Sequence, residues 1–174
     1  MAFTAKQFVD ALQKSGRRLF HFTDARNIVS IREHGLLPTA LVRKLGLPVV
    51  CGGDGTSLSI DRTKGLDSLV SLSFCRSHPM AHVAKDEGRI ETVRIITVCP
   101  SVLLRPGVQI SDQVATANAA TIGAPDEMLP KMDIEATYQR LDWRTPEGQT
   151  RRASAEKWEA LVPGLISEEF LRIL

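Results

Sequence analysis

Apolar residues recur at helical spacing near the start of the chain. Phe8, Val9 and Leu12 share one face, Thr4 stands where a cap belongs and Ser15-Gly16 breaks the run. This predicts a helix over 4–15. The pattern then shortens. Leu19-Phe20-His21-Phe22 reads as a strand, and Asp24 is placed to cap an amphipathic segment over 25–33. In that segment Ile28, Val29 and Ile31 lie near one face, and Gly35 sits where a C-cap belongs. Glycine and proline crowd residues 46–65, which predicts a loop-rich stretch.

Beyond it, residues 69–74 alternate apolar and polar, and residues 91–98 are rich in β-branched side chains. Both patterns predict strands. Residues 100–104 read as a helical turn, 108–110 as a short strand and 115–120 as loop or short helix. The segment 126–141 carries Met128, Met132, Ile134 and Tyr138 and reads as helical pieces, and 146–150 as a polar loop. The last nine residues hold a short amphipathic piece and the start of a last strand. Short strands mixed with helices, without a regular βαβ rhythm, predict an α+β fold. Neither an internal repeat nor a low-complexity segment is present.

The chain has 174 residues, which suits a single domain over 1–174. Such a length buries roughly 70% of its unfolded surface, so no metal or disulfide is needed to hold a core. Lys plus Arg is 22 and Asp plus Glu is 20, a net charge of +2. That balance excludes an acidic tail and a histone-like protein, and bulk charge does not announce a nucleic-acid partner. Cys51, Cys75 and Cys99 are too few and too scattered for a disulfide framework or a zinc site. Nothing approaches the roughly 18 apolar residues of a membrane span. Residues 1–6 lack the apolar core of a signal peptide, so a soluble, cytoplasmic protein is expected, with no membrane partner.

Common catalytic motifs are missing. There is no phosphate loop with its lysine, and Gly52-Gly53-Asp54-Gly55 reads as a turn. There is no G-x-S-x-G elbow. His78 and His82 stand four apart, as metal ligands would, but without the glutamate of a zinc-protease helix, and Pro79 restricts any helix there to start at it. Tyr138, Trp143 and Trp158 fit either base stacking or core packing.

Three segments combine polar residues with strong local structure. His21-Phe22-Thr23 closes a predicted strand just before a capped helix, a common place for a polar ligand or for local hydrogen bonds. Ser71 and Ser73 face one side of their strand, with Leu72 and Phe74 on the other. Glu159 stands among Trp158, Leu161 and Val162, so it is partly desolvated, which costs energy unless it has a partner or a task.

These segments together resemble the DarT group of DNA ADP-ribosyltransferases. His21-Phe22-Thr23 with Asn27, Ile31, Gly35 and Leu36-Leu37 resembles the family's opening H-x-T, N, helix and G-L-L pattern. Residues 71–80 resemble its strand and following Arg-Ser-Pro-Met-like turn, with His78 inserted between Ser77 and Pro79. Asn118-Ala119-Ala120 resembles its N-A-A element, and Glu159-Ala160-Leu161-Val162-Pro163-Gly164 its catalytic-glutamate segment. The resemblance runs from His21 to about Ile166 and implies two small packed sheets, antiparallel or mixed, forming an NAD cleft flanked by helices.

The resemblance also implies an activity. NAD serves as co-substrate without a metal, and ADP-ribose passes to thymine or guanine in single-stranded DNA. Glu159 would be the catalytic carboxylate and Arg62 the catalytic arginine, with Arg43 as its substitute. His21, Phe22, Thr23, Asn27, Ser73 and Phe74 would bind the cofactor, with Phe22 or Phe74 against nicotinamide or in the core. Arg76, Arg151 and Arg152 would contact DNA, within a wider basic set of Arg17, Arg18, Arg43, Lys44, Arg62 and Lys64. A monomeric toxin of a toxin–antitoxin or phage-defence system, countered by a macrodomain antitoxin, is the implied setting. An RNA or protein acceptor, or a non-catalytic nucleotide-binding module, are the alternatives.

Overall fold

A computed structural model describes residues 4–53 and 55–173. Asp54 of the glycine-rich turn, the first three residues and Leu174 lie outside the described residues. Helix α1 (Ala5–Lys14) forms as its pattern requires. Thr4 Oγ1 accepts from Gln7 N, and the Gln7 side chain returns to Thr4 N, a closed capping box. Its buried face, Phe8, Val9 and Leu12, enters the core beside Val102 and Leu103 of a 3-10 turn over Pro100–Leu104.

Strand β1 (Leu19–Asp24) follows, then a 3-10 turn capped by Asp24 and helix α2 (Ile28–His34), closed by Gly35. Helices α3 (Thr39–Leu45) and α4 (Gly55–Lys64) lead to β2 (Leu69–Ser73). Helix α5 (Pro79–Asp86) starts at its proline, as the missing N–H dictates, with His78 Nδ1 accepting from Met80 N. Next come β3 (Val93–Val98), β4 (Gln109–Ser111), β5 (Ile122–Gly123), α6 (Pro125–Met128) and α7 (Ile134–Tyr138). Helix α8 (Pro146–Ala155), β6 (Glu159–Pro163) and β7 (Leu171–Ile173) complete the chain.

The strands make one sheet in the order β5-β4-β6-β2-β1-β3-β7, antiparallel at every junction. The α+β class holds, but two separate sheets were expected. The reason is one junction. β1 and β2 meet only at Phe20 and Ser73, whereas β1 pairs with β3 over six residues and β2 with β6 over five. The sheet is therefore two well-laddered halves hinged at a single pair, and the halves splay apart on either side of it.

Two further expectations need correction. The loop-rich reading of 46–65 missed α4, and the polar loop at 146–150 is the first part of α8. Thr145 caps α8 by accepting from Gly148 N, and Pro146 occupies its first turn, so the helix starts by local capping chemistry without an apolar stripe.

Candidate active site

Where β1 and β2 diverge they leave a cavity of about 300 Å³. Residues just after Phe20 (His21, Phe22, Thr23) form one wall and residues just before Ser73 (Leu69, Val70, Ser71) the other. His21 spans the gap. Its Nδ1 lies 3.0 Å from the Ser71 carbonyl, which can only accept, so Nδ1 carries the proton and Nε2 is left as an acceptor. Burial lowers the His21 pKa, against a smaller upward pull from Ser71, so the ring stays neutral.

The loop above the cavity is pinned by a buried amide. Asn27 Nδ2 donates to Thr23 Oγ1 at 2.9 Å and to Val50 O at 2.8 Å, and Val50 N donates to Asn27 Oδ1 at 2.8 Å. Gly52 then passes so close to Phe22 and Ile90 that a Cβ would stand 3.3 and 3.0 Å from their side-chain carbons. The Phe22 ring faces His78, with centroids 5.8 Å apart and planes 24° from parallel. Below, Asp24 is buried. It accepts from Arg26 Nε and Nη2, Arg26 N and Glu91 N at 2.8 to 2.9 Å. The Arg26 guanidinium, helped by the two backbone N–H groups, holds this carboxyl well below the usual range.

Glu159 opens β6 between two small hydroxyl residues, Ser73 on β2 and Ser111 on β4, which leave room for its carboxylate. It is only 7% exposed and lines the cavity. Oε2 accepts from Ala115 N at 2.9 Å, which ties the 112–120 loop to it. Oε1 lies 3.1 Å from His78 Nε2, close enough for attraction but without hydrogen-bond alignment. Because His78 Nδ1 accepts from Met80 N, it is Nε2 that carries a proton toward the carboxylate. Lys64 of α4 reaches the carbonyls of Thr116 and Ala117 at 3.1 and 3.3 Å, clamping the same loop from outside.

The cavity thus gathers His21, Phe22, Thr23, Asn27, Ser73 and Glu159. Ser73 Oγ donates to Cys75 O and accepts from Cys75 N, so it also shapes the turn after β2. Phe74 is not brought there. It points to the other face, 1% exposed, edge-on to Phe8 with centroids 6.1 Å apart, and is core. Arg62 is a second correction: it is exposed on α4 and does not line the cavity, whereas its neighbour Asp61 does. Arg43 pairs with Asp67 at 2.5 Å. Burial first, then Glu159 and Asp67, push the Asp61 carboxyl up to about 6.

Two of the three arginines assigned to DNA are engaged elsewhere. Arg151 binds Asp133 at 2.7 and 2.9 Å and Glu135 at 2.6 Å. Arg152 binds Glu156 at 2.9 Å and two α7 carbonyls. Arg76 is exposed and has no partner among the described residues. His78 and Asp61 are the site residues that sequence reasoning missed. His78 was weighed with His82 as a metal pair, but His82 turns to Ser77, and no group of three metal-ligating side chains occurs among the described residues. The signal for His78 was its place before Pro79, where a helix start aims the ring backward into the fold.

Residues 20–173 match the family described as "ssDNA thymidine ADP-ribosyltransferase, DarT". The chain belongs to the DarT family. No curated protein sequence matches it. Solved DarT structures share its ADP-ribosyltransferase fold. Thermosipho africanus DarTG in complex with ADP-ribose is 18% identical, with a TM-score of 0.67 over 89% of this chain and 42% of that one. The present chain therefore spans less than half of that protein. Thermus sp. 2.9 DarT in complex with ADP-ribosylated ssDNA is also 18% identical, with a TM-score of 0.63 over 89% of this chain and 80% of that one. The same Thermus DarT in complex with NAD+ is 19% identical, with a TM-score of 0.58 over 88% and 78%. Among the described residues, no helix is long and apolar enough to cross a membrane.

Proposed function

We propose that this DarT-family chain uses NAD to attach ADP-ribose to thymidine in single-stranded DNA. One observation carries the reading: the Glu159 carboxylate and the His21 imidazole line one cavity between the splayed halves of the sheet. Family membership over residues 20–173, and Thermus DarT structures bound to NAD+ and to ADP-ribosylated ssDNA, support it.

The chemistry follows from the groups present. The bond from ribose C1′ to the nicotinamide nitrogen breaks, and neutral nicotinamide leaves with the bonding pair. Positive charge grows on the sugar, and a carboxylate held in a dry wall opposes it far better than one in water. Glu159 supplies that charge. The Ala115 N–H holds one of its oxygens by a hydrogen bond, and the His78 Nε2–H faces the other. The thymine ring N–H is the acceptor: its nitrogen bonds to C1′, and its proton leaves to the Glu159 carboxylate or to water. His21 Nε2, Thr23 and Ser73 provide acceptors and donors for ribose hydroxyls, Asn27 fixes the loop that closes over them, and Phe22 offers a flat face for nicotinamide. Arg62, outside the cavity wall, has no part in this scheme. The reading extends to a toxin whose product a macrodomain antitoxin would remove.

Incubating labelled NAD with oligonucleotides that contain or lack thymidine tests the proposal. Label should enter only thymidine-bearing single strands, and Glu159→Gln should lower incorporation by about 10² or more. NAD should still raise the melting temperature of that variant. Label in protein or RNA alone, or undiminished incorporation by Glu159→Gln, overturns the reading.

A further inference from the structure

The charges lining the first cavity do not balance. Glu159 and Asp61 both line it, and among the described residues that do so there is no lysine or arginine. Arg17, Arg18, Arg76, Arg140 and Arg152 line a second cavity, which shares only Phe20 with the first. Two carboxyls therefore share one site without a cation between them.

The fold holds them there through a common segment. Lys64 donates to the Thr116 and Ala117 carbonyls, and Asp61 stands three residues earlier on the same face of α4. The Ala115 N–H of that segment binds Glu159 Oε2. Residues 114–117 thus join the helix that carries Asp61 to the strand that carries Glu159, and Val114, Ala115 and Thr116 line the cavity with both. The two carboxyls differ in their engagements. Glu159 is bound by Ala115 and faced by His78. Asp61 is half-buried and has no hydrogen bond or ion pair among the described residues. The other charges that act on it are Lys64 and Asp67, the latter in a 3-10 turn over Leu66–Ser68 and neutralised by Arg43. His21, His78 and Cys51 are the remaining titratable groups described along the cavity.

The transfer asks two things of carboxylates. One must stay ionised while positive charge grows on the ribose. Another group must take the acceptor's ring N–H proton as the new bond forms. If Glu159 took that proton, the sugar would lose its opposing charge while still partly cationic. We propose that Asp61 is the general base of the transfer, so that Glu159 remains a carboxylate throughout. This rests on the reading above and names the proton acceptor which that reading leaves between Glu159 and water. The thymine N–H pair becomes the new bond to C1′, the C1′–nicotinamide pair leaves with nicotinamide, and the proton passes to Asp61 Oδ and then to water. A carboxyl raised to about 6 is poised for such a step, since it is mostly ionised at neutral pH yet a stronger base than an ordinary aspartate.

The test is Asp61→Asn, which keeps the shape of the side chain, beside Asp61→Glu. NAD should still raise the melting temperature of Asp61→Asn, and kcat for a thymidine-bearing strand should fall by about 10² with KM for NAD no higher. Wild-type kcat/KM for the strand should drop as pH falls below about 6, because a protonated Asp61 accepts nothing. That limb should vanish in Asp61→Asn, although His21, His78 and Glu159 remain, and should return with part of the activity in Asp61→Glu. With 5-fluorodeoxyuridine in place of thymidine the ring N–H is more acidic, so the deficit of Asp61→Asn should shrink severalfold. Full activity of Asp61→Asn, a limb near pH 6 that survives in it, or an equal deficit with both acceptors overturns this inference alone. A wild-type chain that never modifies thymidine-bearing strands overturns the functional reading, and this inference with it.

Discussion

Asp61 is the least comfortable charge in the first cavity. Burial and the nearby Glu159 carboxylate both oppose its ionisation, so its pKa rises from 3.8 to about 6. A carboxyl raised in the folded state favours folding while it is protonated. That contribution is complete below the unfolded value and disappears as pH climbs through about 6. At neutral pH the ionised Asp61 is a net cost, discounted by its partial exposure to about 1 kcal/mol. Asp61→Asn should therefore raise stability by about that amount near pH 8 and by almost nothing near pH 4. Urea unfolding at the two pH values checks this, and an equal gain at both contradicts it. Most of the site's residues were legible because the chemistry of His21, Thr23, Asn27, Ser73 and Glu159 sits in short ordered motifs. Arg62 was expected in the site and Asp61 lines it instead: neighbours on a helix point about 100° apart, and nothing in the flanking glycine-rich sequence fixes the rotation of α4.

At the scale of elements, Gly35 joins α2 to the rest of the fold. Its φ is +77°, and an added Cβ would stand 2.5 Å from the Ile166 carbonyl oxygen. The next residue uses that same oxygen: Leu36 N donates to Ile166 O and Ile166 N to Leu36 O, both at 2.9 Å. Left-handed backbone and close approach thus coincide, and each excludes a side chain. Gly35→Ala should lose roughly 2 kcal/mol or more of stability. Because Leu36 and Leu37 run straight on into the cavity wall, KM for NAD should also rise. Denaturant titration with steady-state kinetics measures both effects, and a near-neutral variant would show that the loop shifts without resistance. Gly35 announced itself as a cap because the apolar stripe of α2 ends at it. α8 announced nothing of the kind. Its residues 146–155 present no apolar stripe, and the Thr145-Pro146 start signal is only two residues long. Strands β2 and β3 were readable for the opposite reason, since alternation and β-branching extend over most of their length. The two-residue β5 is too short to carry any period.

Across the whole molecule, the single Phe20–Ser73 pair makes the sheet's centre its weakest junction. Elsewhere the ladders are continuous, and Phe74, Leu72, Ala160 and Val162 lie in the same buried cluster as Leu19, Ile96 and Val98 of the other half. The apolar face therefore holds the halves together while the cavity face leaves them apart. On the cavity face the direct tie is the His21 to Ser71 hydrogen bond at 3.0 Å. Such an arrangement cannot be read from composition or periodicity, because each strand's pattern is the same whether its neighbour is laddered along its length or at one pair. It does have a measurable consequence. A dinucleotide lying between the walls, as proposed above, would contact β1 on one side and β2 and β6 on the other, and so would bridge halves that few hydrogen bonds join. Saturating NAD, at about a hundred times its Kd, should add about 2.7 kcal/mol of stability. Local opening should be suppressed chiefly at this junction. In amide hydrogen exchange with and without NAD, protection should rise most in residues 20–23 and 69–73 and change little in α8. Glu159→Gln should show the same pattern, since it removes the charge proposed to oppose the transition state without removing the walls. A uniform rise over every element would mean that NAD acts only by mass action on global unfolding, and a rise confined to α8 would put the nucleotide in the other cavity.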